Sequence, residues 1–386
     1  MELPIITDVK DLRGKKVLLR TAFNVPVTNG EIENDYRIRK VLPTITWLRE
    51  KGAKIIIISH IWGDETKSLK VVHDYLSKMM EIKFVPDCVG PEVRDEIDKM
   101  NDGDVILLEN TRLHDGEVGN KESFAEELSK NADIYVNEAF SVSHRKHASV
   151  VGITSFLPSY IGLQFKEEID HLSLVLEPER PFLFILGGAK FSTKMPLIRK
   201  YLKLADTVYV AGALVKPFLT ARGFKVNQEH VPPNLDPVDD IIGAENLRLP
   251  NDFVCFNGTD SKLLSYQECS IDAGNLVDIG ETSIEELKKM VYGSSFVLWN
   301  GPLGDYEKGF GDGTVKLANI IIESGVKSVV GGGDTVAVLS REGIDYEHGF
   351  SFTSTAGGAM LQFLADETLV GMEAIMDNHK NRGSEL

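Results

Sequence analysis

The sequence predicts an α/β protein of two Rossmann-like domains, each a parallel sheet flanked by helices, joined by a hinge helix across a cleft. Three observations predict it. The chain has 386 residues, room for two domains at about 150 residues each. A short β-branched run, a loop and a segment of helical period recur along it, and that alternation builds parallel sheets covered by helices on both faces. A proline-rich break, Glu177-Pro178-Glu179-Arg180-Pro181, interrupts the rhythm, which then restarts.

Residues 16–21 are the first strand, and Asn29-Gly30 marks a turn soon after. Ile38, Leu42, Ile45 and Leu48 share one face of a helix that starts near Arg37 and that Gly52 ends. Residues 55–59, 84–85, 105–108 and 134–137 read as four more strands. Residues 164–176 read as a helix with Phe165, Ile169, Leu172 and Leu176 on one stripe. Residues 182–186, 208–211, 296–299 and 326–330 carry the second half. Residues 222–275 are loop-rich and give no assignment, and the polar stretch 377–386 is expected to fray. The domains expected are therefore 1–163 and 181–365, with 164–180 as connecting helix and hinge.

Hydrophobic residues make up 42% and charged residues 26%, which argues against wholesale disorder. The formal net charge of −16 argues against bulk binding to nucleic acid or anionic membrane, both of which need a basic surface. Apolar runs such as 55–58 and 182–186 are far too short to span a bilayer. The first 14 residues lack the apolar core of a signal peptide. Cys88, Cys255 and Cys269 form no CxxC or Cys/His pattern, so neither a disulfide framework nor a structural zinc site is expected, and a cytoplasmic location fits. Monomer and homodimer stay equally open.

In open parallel sheets ligands bind beyond the carboxyl ends of the strands. In the first half the residues there are cationic or imidazole: Arg20, His60, Arg112, then His144, Arg145 and His147, with Arg37 at the helix start. In an acidic chain this recurrence suggests a pocket for a small, multiply charged anion, since the arginine fork matches phosphate and carboxylate. The bland alternative is a scatter of solvated arginines, and for any one residue it is the better one. In the second half the same positions are small: Gly187-Gly188-Ala189-Lys190, Ala211-Gly212-Ala213, Asn300 to Gly304, Gly331-Gly332-Gly333-Asp334-Thr335, and Thr355-Ala356-Gly357-Gly358. Glycine lets backbone N–H groups approach a ligand, and helix N-termini favour anions, so these loops suggest a nucleotide. Asp334 beside phosphates suits Mg²⁺, although a helix N-cap explains it as well. Lys190 and Lys194 flank a helix start and could meet phosphates, or be ordinary surface lysines. No GxxxxGK[ST], GxGxxG after a strand, GxSxG or HExxH is present. An anion-binding half and a nucleotide-binding half together suit phosphoryl transfer.

Taken together, these motifs resemble the phosphoglycerate kinase family over nearly the whole chain. Residues 20–26, RTAFNVP, resemble the family's RVDFNVP, and 34–39 its NDYRIR. Leu108 to Arg112 matches LENTR, 139–149 resembles AFGTAHRAHAS, 187–190 matches GGAK, 299–304 resembles WNGPMG, and 331–335 is GGGDT. The resemblance implies transfer between ATP and 3-phosphoglycerate, giving ADP and 1,3-bisphosphoglycerate, with Mg²⁺ as cofactor. Carried over residue by residue, Arg20, Phe23, Asn24, Arg37, His60, Arg112, His144 and Arg145 would line the phosphoglycerate site. Arg37 and Lys190, with the helix start at Gly357 and Gly358, would stabilise the transferring phosphoryl group. Lys194, Asn300, Pro302, Glu307, Gly331, Gly332, Gly333, Asp334 and Thr335 would hold the nucleotide, with Asp334 at the metal. The resemblance also implies that the C-terminal segment, 366–386, returns to the first domain, and that the 164–180 helix and the segment near Thr355 are hinges.

Three positions depart from the family pattern. Ala22 stands where the family has Asp, Ser59-His60-Ile61-Trp62-Gly63-Asp64 stands for SHLGRP with its arginine missing, and Ala211-Gly212-Ala213-Leu214 stands for GGGM. The first two remove a hydroxyl contact and a phosphate contact on the acceptor side. A related kinase acting on another phosphorylated carboxylic acid, and a non-catalytic nucleotide-binding paralogue, are the alternatives at this point. The retained Arg37, Lys190, Asp334 and Thr335 count against the second.

Overall fold

The computed structural model describes residues 3–63, 67–265, 267–268 and 274–382. Asp64, Cys269 and the end of the polar tail, 383–386, lie outside the described residues. The chain forms two compact units, Met1–Asp170 with Asp366–Leu386, and His171–Ala365.

The first unit is built on a six-stranded parallel sheet in the spatial order Lys83–Val85, Val105–Leu108, Lys54–Ile58, Lys16–Arg20, Ile134–Asn137, Ser159–Ile161. Its inner strands are continuous apolar runs because both faces are covered. Val17, Leu19, Ile55 and Ile57 enter one core layer, and Leu18, Ile56 and Ile58 the other, as the two-residue period of a strand requires. The strand order reverses direction between Lys16–Arg20 and Ile134–Asn137, so the crevice for a ligand opens beyond Arg20 and Asn137. The C-terminal helix Val370–Arg382 is tied into this unit: Asn378 Oδ1 accepts from Ser159 N at 3.0 Å, and its Nδ2 donates to Thr154 O at 2.6 Å.

The second unit repeats the plan with the order Leu247–Arg248, Thr207–Val210, Phe182–Leu186, Phe296–Asn300, Lys327–Gly331, Phe352–Thr353, all parallel. Its reversal falls between Phe182–Leu186 and Phe296–Asn300, which places Gly187 and Gly301 at the mouth. A small antiparallel sheet of Ser261–Ser265, Asp252–Phe256 and Asn275–Ile279 places two strands within the unassigned stretch 222–275 and the third at its end. The helix Leu163–Ser173 carries the chain from one unit into the next.

Three sequence expectations shift. Residues 377–382, expected to fray, continue the helix Val370–Arg382, because Asn378 and Arg382 donate to the carbonyls of Thr154, Leu157 and Phe156. The first helix is two segments, Tyr36–Arg39 and Leu42–Glu50. Pro43 sits in the first turn of the second, where its missing N–H costs nothing, and so a new helix begins there. Asp334 is not an N-cap: Gly332 holds that position, and Asp334 lies in the first turn of the helix Gly333–Arg341.

Candidate functional site

In the first unit the strand ends gather cations. His60 is buried, and the guanidinium groups of Arg20, Arg112, Arg145 and Arg37 all act on its imidazole. Burial first, then those charges, hold its pKa well below the usual histidine range, so the ring is neutral at pH 7. Asn24 is fixed from both sides: its Oδ1 accepts from Trp62 N at 2.7 Å, and its carbonyl accepts from Arg37 NH1 at 2.7 Å. Arg145 Nε donates to His144 Nε2 at 3.4 Å, which leaves the His144 proton on Nδ1. Burial and Arg145 push the His144 pKa down to about 4, and burial with Arg145 and Arg20 lowers Arg112 to about 10.

The buried donors Arg112 Nε and NH2 and His144 Nδ1, and the ring nitrogen His147 Nδ1, have no hydrogen-bond partner among the described residues. His147 Nδ1 lies 3.7 Å from Glu117 Oε1, too far for a hydrogen bond. Buried polar groups are seldom left unsatisfied, and a cluster of unpaired donors among guanidinium groups suits an anionic ligand.

Arg20 and Phe23 differ from the expectation that their side chains line the site. Both are fully buried. Phe23 belongs to the core, with its N–H on Ser59 Oγ at 2.9 Å. The Arg20 guanidinium is spent internally, on Ser149 Oγ at 2.8 Å, on the Thr21 carbonyl, and on His60 Nδ1 at 3.2 Å. Ala22 packs with Ala139, Val142 and Val150 in a small apolar cluster, and Gly63 is exposed, with nothing among the described residues within 4 Å of where a side chain would begin.

In the second unit the glycine loops pack against one another. Gly187 N donates to Asn300 O at 2.9 Å and Gly188 N to Pro302 O at 2.8 Å. A Cβ on Gly187 would overlap the carbonyls of Gly301 and Pro302, so this glycine is required for loop-on-loop packing rather than by a ligand. Over Gly333, by contrast, an added Cβ would meet nothing, so the N-terminus of the helix Gly333–Arg341 is open. Asn300 Nδ2 donates to Gly331 O at 3.0 Å, and Thr335 Oγ1 accepts from Gly301 N at 2.9 Å, binding the GGGDT turn to the Asn300 loop. Glu307 and Lys190 are exposed, and Gly357 and Gly358 open the helix Gly358–Asp366.

Lys194 is a buried lysine whose ammonium donates to the Gly187 carbonyl. Burial pushes its pKa down to about 8, against the pull of Asp334. Asp334 itself is exposed, with Oδ1 3.5 Å from Tyr306 OH. Among the described residues no group of three or more His, Cys, Asp or Glu side chains could hold a metal. A single exposed carboxylate at an open helix start fits a Mg²⁺ whose other ligands are phosphates and water. The lysine titration has a consequence. Below about pH 8 Lys194 is charged, and above it the ammonium is lost. If Lys194 also meets a nucleotide phosphate, as the family resemblance implies, the Kd for ADP should rise as pH goes from about 7 to 9, by up to roughly tenfold for one lost charge-assisted contact. Lys194→Arg, which stays charged, should flatten that profile, and calorimetry across the range checks it.

The sequence missed Glu117 and Ser149, which lie fully buried beneath Arg20. A single glutamate within Leu113-His114-Asp115-Gly116-Glu117 reads as a solvated surface acid, and only burial reveals otherwise.

Comparison with known proteins follows the same lines. A family model described as phosphoglycerate kinase matches residues 6–367. The phosphoglycerate kinase of Leptospira biflexa serovar Patoc is 37% identical over 394 residues, covering 97% of this chain and 99% of that protein. That of Dictyoglomus turgidum is 39% identical over 390 residues, covering 95% and 97%. The crystal structure of phosphoglycerate kinase from Pyrococcus horikoshii OT3 superposes with a TM-score of 0.85 at 27% identity, over 98% of this chain and all of that one. With a match of this extent in sequence and in fold, the chain belongs to the phosphoglycerate kinase family.

Proposed function

We propose that this kinase transfers the γ-phosphoryl group of ATP reversibly to the carboxylate of 3-phosphoglycerate, giving ADP and 1,3-bisphosphoglycerate. The observation that carries this reading is the set of buried nitrogens on Arg112, His144 and His147 that have no hydrogen-bond partner among the described residues, beside Arg37, Arg145 and neutral His60. Those groups suit the phosphate of the acceptor, and Asn24 is held where it can meet the same ligand.

The attacking carboxylate is ionised at neutral pH, so no general base is needed. What the transfer needs is positioning and neutralisation of charge. Arg37 and Lys190 supply cationic donors to the transferring group, and the helix start at Gly357 and Gly358 supplies backbone N–H groups. Lys194, Asn300, Pro302, Glu307 and the 331–335 turn hold the nucleotide. Mg²⁺, held by Asp334 and the phosphates, would screen the phosphate charge when bound. The helix Leu163–Ser173 and the segment near Thr355 are the hinges we assign to exclusion of water during transfer.

A second reading, a related acid as acceptor, is favoured by two observations: Ala22 sits in an apolar cluster, and Gly63 has no side chain. Coupled ADP formation over a panel of phosphorylated carboxylic acids separates the two. The first reading expects the highest kcat/KM for 3-phosphoglycerate. A higher value for another acid would replace it with the second.

A further inference from the structure

Arg20 lies at the sheet position where the first unit's crevice opens, yet it offers no surface to a ligand. Its donors run along a buried chain instead. Arg20 Nε donates to Ser149 Oγ at 2.8 Å, and Ser149 Oγ in turn donates to Glu117 Oε1 at 2.6 Å. Ser149 N donates to Glu117 Oε2 at 2.9 Å, so the carboxylate is gripped by one residue through two bonds. Arg20 NH2 lies 3.9 Å from Glu117 Oε1, which leaves the buried guanidinium compensated by a buried carboxylate. The same NH2 reaches His60 Nδ1 at 3.2 Å.

A guanidinium has only donors and keeps its proton. The ring nitrogen it meets must therefore present a lone pair. We infer that Glu117, acting through Ser149 and Arg20, is a positioning residue that locks His60 as the Nε2–H tautomer, making it a neutral donor in the anion pocket. The hydrogen bond that His60 makes among the described residues runs through Nδ1, which leaves the Nε2 proton for a ligand. The flanking guanidinium groups that depress protonation of the ring keep it neutral. Because Glu117 offsets Arg20 internally, the pocket's own cations are Arg37, Arg112 and Arg145. The chain thus converts one buried ion pair into a fixed hydrogen-bond direction rather than into extra charge.

The inference rests on the phosphoglycerate reading only for its kinetic arm. The tautomer is read on the ligand-free protein, by long-range ¹H–¹⁵N correlation with ¹⁵N-histidine, with His60→Gln used for assignment. The expected spectrum shows Nδ1 unprotonated and Nε2 protonated at about pH 7.5. An Nδ1–H tautomer or an imidazolium there overturns the proposal, whatever the substrate is. Glu117→Gln and Ser149→Ala should give mixed His60 tautomers. They should raise KM for 3-phosphoglycerate by roughly tenfold, the scale of one hydrogen bond to a charged group, with a smaller change in kcat. ADP affinity should not move. A folded Glu117→Gln protein with the parent tautomer and parent KM also overturns it. If the variants do not fold, the parent spectrum decides.

Discussion

Replacing Arg37 or Lys190 by alanine lowers kcat by about 10²–10³-fold, the scale for losing one preorganised donor to a developing charge. Arg37 stands in the short helix Tyr36–Arg39 with NH1 on the Asn24 carbonyl at 2.7 Å, so its guanidinium is aimed before any ligand arrives. Burial lowers its pKa, against the pull of Glu168, but a guanidinium stays charged at neutral pH, and a charge in a desolvated place acts more strongly than one in water. Lys190 immediately precedes the helix Phe191–Leu204 and is exposed, free to follow a phosphoryl group in transit. Both are assigned to charge that is largest midway through transfer. The binding constants for 3-phosphoglycerate and ATP should therefore change less than kcat does. Steady-state kinetics with separate titrations of each ligand checks the split. Two variants with normal turnover would require other residues in this role.

Restoring the missing acceptor contacts should have the next largest effect, and the two positions should behave differently. Gly63 is exposed, and nothing among the described residues lies within 4 Å of where its side chain would begin, so Gly63→Arg adds a guanidinium without displacing any of them. If it reaches the acceptor's phosphate, KM for 3-phosphoglycerate should fall by about tenfold or more, since a hydrogen bond to a charged group is worth about 1.5–3 kcal/mol. Ala22→Asp places a carboxylate beside Ala139, Val142 and Val150. It should cost about 1–3 kcal/mol of stability from desolvation, while adding an acceptor for the substrate hydroxyl. Denaturant unfolding and kcat/KM on the two single variants separate these effects. A Gly63→Arg protein that gains nothing on 3-phosphoglycerate would show that other groups already fill the arginine's place.

The strands were legible because burial on both faces writes them as unbroken apolar runs. The stretches 105–108, 134–137 and 182–186 match the observed strands at both ends. The stretch 222–275 was not legible because its sheet is antiparallel and half exposed. Ser261–Ser265 is a strand of mixed character held by hairpin pairing to Asp252–Phe256, which periodicity does not report. The site was legible in kind, because its residues follow strands and carry an unusual cluster of cations in an acidic chain. Its inner structure was not. Glu117 and Ser149 look like surface residues until the fold buries them. Lys194 looks like a surface lysine until its ammonium is found on the Gly187 carbonyl. Gly187 looks like a ligand-binding glycine, yet its role is to let two loops touch.

The central claim is that phosphoryl transfer goes to a carboxylate, and trapping the product tests it most directly. Acyl phosphates react with hydroxylamine to give hydroxamates, whereas phosphate esters of hydroxyl groups do not. The full-length protein with Mg²⁺, ATP, 3-phosphoglycerate and hydroxylamine should form one hydroxamate per ADP released, and none when either substrate is left out. ADP release without hydroxamate, or no ADP release from a folded protein that binds both substrates, would contradict the account.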